Sequence, residues 1–421
     1  ACALVAWLVA ARPMPSGDPQ TVAALDAILL RDGILPRAAM ALLAGGVLGL
    51  SGVLLQAVLR NPIADASTLG VASGAQLGMA LAAGAAPLIG ILNAEAAAFA
   101  GGCVSLGLVM ALCWRGGLDP VSVALSGMIV SLVAAALSVT VILAQGDYAL
   151  SIHIWGAGTL NQSGWSSVAI LAPRLAVGLV AAFLLSRPLR VLSLGDAGAR
   201  SLGVSLFALR ITALALAVWL AATVTALCGI IGFLGLAAPA LARFCGARTS
   251  VQMLAGAPLA GGLLLLIADT ASQLLGPGFA DLAPAGAATA LLGGPVLLLL
   301  IPRLRSAHAP AEMAAEPERH RFMPGLPGLA CLSIALLAVT VLVGPDAHGI
   351  GFISAETFDA LMPLRLPRMI AASGAGALLG AAGVIMQRLT GNPIAGPEVL
   401  GIASGGGAGL AVALIAFGFL T

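Results

Sequence analysis

"RNPIADASTLGVASGAQLG" occupies Arg60–Gly78, and "GNPIAGPEVLGIASGGGAG" occupies Gly391–Gly409. Both are polar, glycine-rich interruptions of long apolar stretches. The match extends beyond them: Leu35–Leu81 aligns without gaps to Leu366–Val412, with 22 of 47 positions identical. The coincident residues include the breaking and polar ones. Leu35-Pro36-Arg37 repeats as Leu366-Pro367-Arg368, Gln56 as Gln387, and Asn61-Pro62-Ile63-Ala64 as Asn392-Pro393-Ile394-Ala395. Shared hydrophobicity does not align prolines, so the chain reads as a tandem duplication with an offset of 331 residues. Repeats of 20–50 residues build solenoids; this spacing implies two large homologous halves.

The surroundings of the break fix the solvent. Of 421 residues, 60% are apolar and 9% charged, with a mean hydropathy of +1.08. A soluble domain is closer to half apolar and a quarter charged. Apolar runs recur near the roughly 20 residues that cross a hydrocarbon core. Among them are Ala38–Gln56, Val121–Ala144, Val168–Leu185, Ile211–Ile231, Leu254–Thr270, Gly286–Ile301, Leu326–Val343 and Met369–Met386. The fold expected is an all-α polytopic membrane protein. Its 54 glycines suit close helix packing, because lipid gives helices no hydrophobic drive toward each other.

Within such a bundle, the helix entering the break ends near Arg60. Pro62 cannot continue it and biases Asn61 away from helical geometry. Asp65, Ser67 and Thr68 offer caps to the next helix, and Gly70 and Gly74 permit close approach. Irregular backbone at membrane depth must be enclosed by protein or line a watery cavity. Both readings of the break stay open here. Gln56 and Gln387, one turn earlier, suit either a pathway or a helix–helix hydrogen bond.

Three domains follow: a first half at 1–302, a charged linker at 303–325, and the start of a second half at 326–421. Both ends of the sequence are expected to be cut, leaving the second half incomplete. Basic residues gather on the cytoplasmic side of membranes. With the linker inside, Arg60, Arg115, Arg187, Arg190, Arg200 and Arg248 share its side. Asp18, Asp26, Asp32, Glu95, Asp147, Asp281, Asp346 and Glu356 take the other, with Trp155 and Trp165. About ten helices per half are expected, with "LPR" outside and "NP" inside.

Composition also excludes chemistry. All 19 basic residues are arginine. A P-loop requires its lysine on the nucleotide phosphates, so no ATPase site of that kind is encoded, nor Schiff-base chemistry. Cys2, Cys103, Cys113, Cys228, Cys245 and Cys331 form no CxxC pair and read as small hydrophobes. No metal site and no catalytic residues are expected, and nothing implies nucleic acid. An ion-coupled secondary transporter would need ionisable groups at mid-membrane, and only Arg174 lies clearly within a span. An intramembrane enzyme would need a nucleophile–base or metal pair, and none is visible.

The doubled pattern "LPR…G…G…Q…NPIA…LG…SG.G" resembles the iron-siderophore and cobalamin (FecCD-type) permeases of ABC importers. So do "SRPLRVLSLGDAGARSLGV" at Ser186–Val204, "GIIGFLGLAAPALARFCG" at Gly229–Gly246, "ADTASQ" at Ala268–Gln273 and "GAATALLGGPVLLLLI" at Gly286–Ile301. Two copies fused in one chain are similar to the ferric-hydroxamate permeases of Gram-negative bacteria. The resemblance implies a type II importer permease in the bacterial inner membrane, moving a ferric siderophore inward. Cobalamin or haem are the alternative ligands within the class. Partners implied are two copies of a cytoplasmic ATPase carrying ATP-Mg and a periplasmic siderophore-binding protein, with no cofactor on this chain.

The resemblance also assigns residues. Leu194, Gly195, Asp196, Ala199, Arg200, Leu202 and Gly203 match the loop that couples to the ATPase. Arg37, Arg365 and Arg368 match arginines that meet carboxylates of the binding protein. Asn61, Pro62, Asn392 and Pro393, with Gln56 and Gln387, mark the pathway or helix break. The sequence departs from the pattern at Ile34, where an arginine is usual and Arg31 is a possible substitute. It departs again at Gln273, and at Ala240, which replaces a histidine.

Overall fold

The computed structural model describes residues 24–84 (except 26 and 63), 94–144 (except 117), 156–274 (except 157, 193, 194 and 204) and 326–390 (except 347 and 348), with isolated positions in 285–295 and 409–413. The chain divides into two compact units, Ala1–Ala307 and His308–Thr421. Among the described residues, seven helices are long and apolar enough to cross a membrane.

The first unit is a helical bundle built around α1 (Leu35–Leu59), which enters through a π-helical turn at Leu29–Ile34. Then come α2 (Val71–Gly84), α3 (Ala94–Cys113), α4 (Pro120–Ala144) and α5 (Ser166–Leu184). Two short helices, α6 (Ser186–Leu192) and α7 (Asp196–Ser201), precede α8 (Leu206–Cys228), α9 (Leu234–Phe244) and α10 (Ser250–Leu274). Pro36 sits in the first turn of α1, directly after the π-helical turn.

α1 is the axis. It packs on α10, α8, α9 and α5, and it is buried almost throughout its length. Glycine makes that possible. A Cβ built at Gly45 would run into the Gly261 carbonyl, at Gly49 into the Ala257 carbonyl at 2.5 Å, and at Gly52 into the Gly235 carbonyl. Gly45, Gly49 and Gly52 recur at helical spacing, so one face of α1 lies backbone to backbone against α9 and α10. On the outside, α2, α3 and α4 turn Leu81, Val104, Leu108 and Val133 outward. Such an apolar exterior is stable in hydrocarbon and not in water.

The two ends of this bundle differ in charge. Arg37 reaches Asp269 and Asn161, and the Trp165 indole donates to the Arg31 carbonyl at 3.0 Å, so these residues share one end. Arg60 donates to the Leu192 carbonyl at 3.0 Å at the other end, near Arg187, Arg190 and Arg200. α2 runs antiparallel to α3, with Gly74 against Gly101 and Gly78 against Ala97, which places Arg115 at that same end.

The second unit holds α11 (Leu326–Leu342), a hairpin of β1 (Val343–Asp346) and β2 (Gly349–Phe352), and α12 (Ala355–Thr390). The hairpin pairs Val343 with Phe352 and Asp346 with Gly349. α12 is helical across the residues that align with α1 and, like the π-turn before α1, extends upstream of them. The linker at 303–325 and the repeated Asn392-Pro393 lie outside the described residues.

Candidate functional site

α1 ends at the break. Arg60 caps it in the left-handed region, with φ 46°. A side chain there is strained unless held, and the Leu192 carbonyl on α6 holds it. The aligned position in the second copy is Gly391, the residue that adopts this conformation most freely. That substitution was the sequence signal for the left-handed cap. Beyond it, the Asn61 carbonyl accepts from Ala64 N–H at 3.1 Å. The Asp65 carboxylate accepts from Ala66 N–H at 2.7 Å and from the Ser67 hydroxyl at 3.0 Å, capping a 3₁₀ turn at Ala66–Leu69. Burial pushes the Asp65 carboxyl above the usual range, and the two hydrogen bonds pull it back.

Gly70, at φ 76°, then turns the chain into α2 while packing against Val130 and Ser131 of α4. Ala64, Asp65, Ala66, Leu69 and Gly70 are all buried, and Asn61 and Pro62 half-buried.

The enclosing partner is α9. Gln56, 7% exposed, donates through Nε2 to the Gly235 carbonyl at 3.1 Å. Its Oε1 accepts from Arg243 Nη2 at the far end of α9. Asp65 Oδ1 lies against Gly235, where a Cβ would collide with it. α1, the break and α9 therefore meet at Gly235. α9 itself follows a second break: Gly229 at φ 73° closes α8, and Phe233 at φ 75° opens α9 in the left-handed region. Pro239 and Ala240 are buried within α9.

Of the residues matched to ATPase coupling, those described lie at the arginine-rich end. Gly195, at φ 93°, starts α7, and Gly203, at φ 76°, follows it. Ala199 is fully buried, Arg200 is exposed, and Leu202 is 62% exposed. Two positive-φ glycines thus bracket a single helical turn that offers an apolar side chain and a cation. Leu194 and the Asp196 side chain lie outside the described residues.

The three arginines matched to docking differ from one another. Arg37 is bound to Asp269, and Arg365 donates to the carbonyls of Thr340, Val341 and Val343 at 2.8–3.3 Å. Arg368 is exposed. Gln387 lies on α12. Sequence reasoning missed Arg210. Starting that span at Ile211 left Arg210 on its edge, but α8 begins at Leu206 and buries it to 4% exposure. Of the cysteines, Cys113 and Cys228 are buried as expected of small hydrophobes, whereas Cys103, Cys245 and Cys331 face outward.

Comparison with known proteins follows the same outline. The sequence model of the FecCD transport family matches residues 7–303 and again residues 327–421. The chain is 43% identical over 395 residues to the iron(3+)-hydroxamate import system permease protein FhuB of Salmonella typhimurium, covering 92% of this chain and 57% of that protein. It is 41% identical over 405 residues to FhuB of Escherichia coli, covering 94% and 61%. The chain thus spans 57% and 61% of the length of these two relatives. Among solved structures, a metal-chelate type ABC transporter in an inward-facing conformation superposes with a TM-score of 0.61 at 26% identity. That likeness covers 72% of this chain and 97% of that one.

Proposed function

Because the chain belongs to the FecCD transport family, we propose that it is the membrane-spanning permease of an ABC importer carrying a ferric hydroxamate into the cytoplasm. The observation that carries the ligand class is the 43% identity, sustained over 395 residues, to a permease of iron(3+)-hydroxamate import. The separate family matches at 7–303 and 327–421 support two tandem halves, and each half is taken to hold about ten helices. The arginine-rich end of the bundle faces the cytoplasm of a bacterial inner membrane, by the bias of basic residues toward that side. The Arg37 end faces the periplasm, where a siderophore-binding protein delivers its cargo.

Two copies of a separate ATPase supply the energy, consistent with a chain that contains no lysine. The turn at Gly195–Gly203 is the site on which one of them acts. Leu202 seats in an apolar groove and Arg200 meets a carboxylate. No residue of this chain changes covalent state during the cycle; its work is to move between packings.

Uptake of radiolabelled iron as a ferric hydroxamate tests the reading, in proteoliposomes holding the full-length permease, its ATPase and its binding protein. ATP-dependent uptake of the hydroxamate is expected, with cobalamin and haem as parallel substrates not accumulated. Uptake of either of those instead would discard the ligand, and uptake persisting without the ATPase would discard the importer. In the same assay Leu202→Asp is expected to lower uptake at least about tenfold, as an unpaired charge in an apolar groove costs a few kcal/mol. Because Leu202 is exposed in the permease alone, the variant's melting temperature should match the parent's.

A further inference from the structure

We infer that Arg60 is the positioning residue through which the turn at Gly195–Gly203 moves the helix break, and that only the first half carries this link. The inference rests on the importer reading for its ATPase, but the link itself rests on one carbonyl. Arg60 caps α1 directly before Asn61-Pro62, and its Nη2 donates to the Leu192 carbonyl at 3.0 Å. The same carbonyl accepts from the Gly195 N–H at 3.3 Å. Gly195 is the residue that opens α7. One acceptor thus joins the cap of α1 to the start of the turn, across 132 residues of sequence between Arg60 and Leu192.

Leu192 closes α6, and both it and Leu189 are buried against the bundle. α6 packs on α1, α8 and α10, so the shared carbonyl is held in place until the turn acts on it. When the turn shifts, that carbonyl must rotate, and Arg60 either follows it or lets go. Both outcomes alter the left-handed cap, because α1 ends on Arg60 itself. The backbone argues for a role of the side chain. At φ 46° an arginine is disfavoured, whereas glycine takes this conformation freely. Strained residues of this kind cluster at switch regions and functional sites. The second copy has Gly391 at the aligned position. Glycine has no side-chain donor, so the equivalent position of the second half cannot make the link. The two breaks therefore answer unequally to their ATPases.

Arg60→Gly gives the first half the residue of the second. It removes the donor and relieves the backbone, so the full-length permease should melt within about 3 °C of the parent. In proteoliposomes with the ATPase and binding protein, uptake of ferric hydroxamate per ATP hydrolysed is expected to fall at least about fivefold, with hydrolysis itself within about twofold of the parent. Arg60→Asn should behave alike, since asparagine also tolerates this conformation and is too short for the same reach. Hydrogen exchange of the permease alone reads the link without the ATPase. In Arg60→Gly the amides of Gly195 and Ala199 should exchange at least about fivefold faster, while those of α3 stay unchanged. An unchanged ratio of uptake to hydrolysis, uptake and hydrolysis lost together, or unchanged exchange at the turn would each overturn the inference. Loss of ATPase binding in both variants would overturn it too, by making Arg60 part of the docking surface. If the parent engages no ATPase, the importer reading fails, and the exchange measurement still decides whether Arg60 ties the turn to the break.

Discussion

Gly52→Leu is expected to leave little folded permease, and what survives should melt about 10 °C lower. A Cβ at this position would lie inside the Gly235 carbonyl. The obstacle is backbone, so no rotamer change relieves it. Overpacking a core costs about 1–3 kcal/mol when side chains can yield, and here α1 and α9 must separate instead. At roughly 2–4 °C per kcal/mol for a unit of this size, the upper end of that range gives the figure. The loss extends past the contact itself, because Gln56 and Asp65 also meet α9 at Gly235.

A graded series makes this prediction specific. A Cβ at Gly46 would meet the Leu175 methyl at 3.4 Å and the Pro258 carbonyl at 3.5 Å, both ordinary contacts, so Gly46→Ala should cost little; Gly49→Ala, 2.5 Å from the Ala257 carbonyl, should cost more. Gly107, exposed on α3 with nothing within 4 Å, should accept leucine with no loss. Size-exclusion profiles and melting curves of the four variants provide the check. Equal behaviour of Gly52→Leu and Gly107→Leu would refute the packing of α1 on α9.

That packing shows where sequence reading succeeds and where it stops. The membrane class, the helix spans and the break at Asn61-Pro62 follow from local chemistry: apolar length, a proline that cannot donate, glycines where the backbone turns. The span read as Val121–Ala144 proved to be Pro120–Ala144, and the one read as Ala38–Gln56 proved to be Leu35–Leu59. The short turn at Asp196–Ser201 was found through its motif.

Partners distant in sequence were not legible. Asp269 is 232 residues from Arg37, and Gly235 is 179 from Gln56. No periodicity in either segment names the other. A surface role for Arg37 was therefore as consistent with the sequence as an ion pair. For Gln56, a place near a pathway and a helix–helix hydrogen bond were equally consistent with the sequence; the hydrogen bond is present. Arg210 escaped for a related reason: a charge at the rim of an apolar run looks like an end marker until the helix is seen to start a turn earlier.

Gln56→Met is the second substitution with a large expected effect. Methionine keeps the volume and removes both hydrogen bonds. The Gly235 carbonyl loses its donor from Gln56, and the half-buried Arg243 on α9 loses its acceptor. Leaving buried polar groups unpaired costs about 1–3 kcal/mol each, and more for a charged one. A combined destabilisation of about 3 kcal/mol is expected. Arg243→Met should cost less, because Gln56 keeps its bond to Gly235. The double variant should fall short of the sum of the two, since no stranded guanidinium remains. Hydrogen exchange locates the effect. In Gln56→Met the amides of Leu234–Phe244 should exchange at least about tenfold faster than in the parent, while those of α3, which does not touch this cluster, stay protected. Strict additivity in the melting cycle, or faster exchange spread evenly over all helices, would mean that Gln56 does not tie α9 to α1.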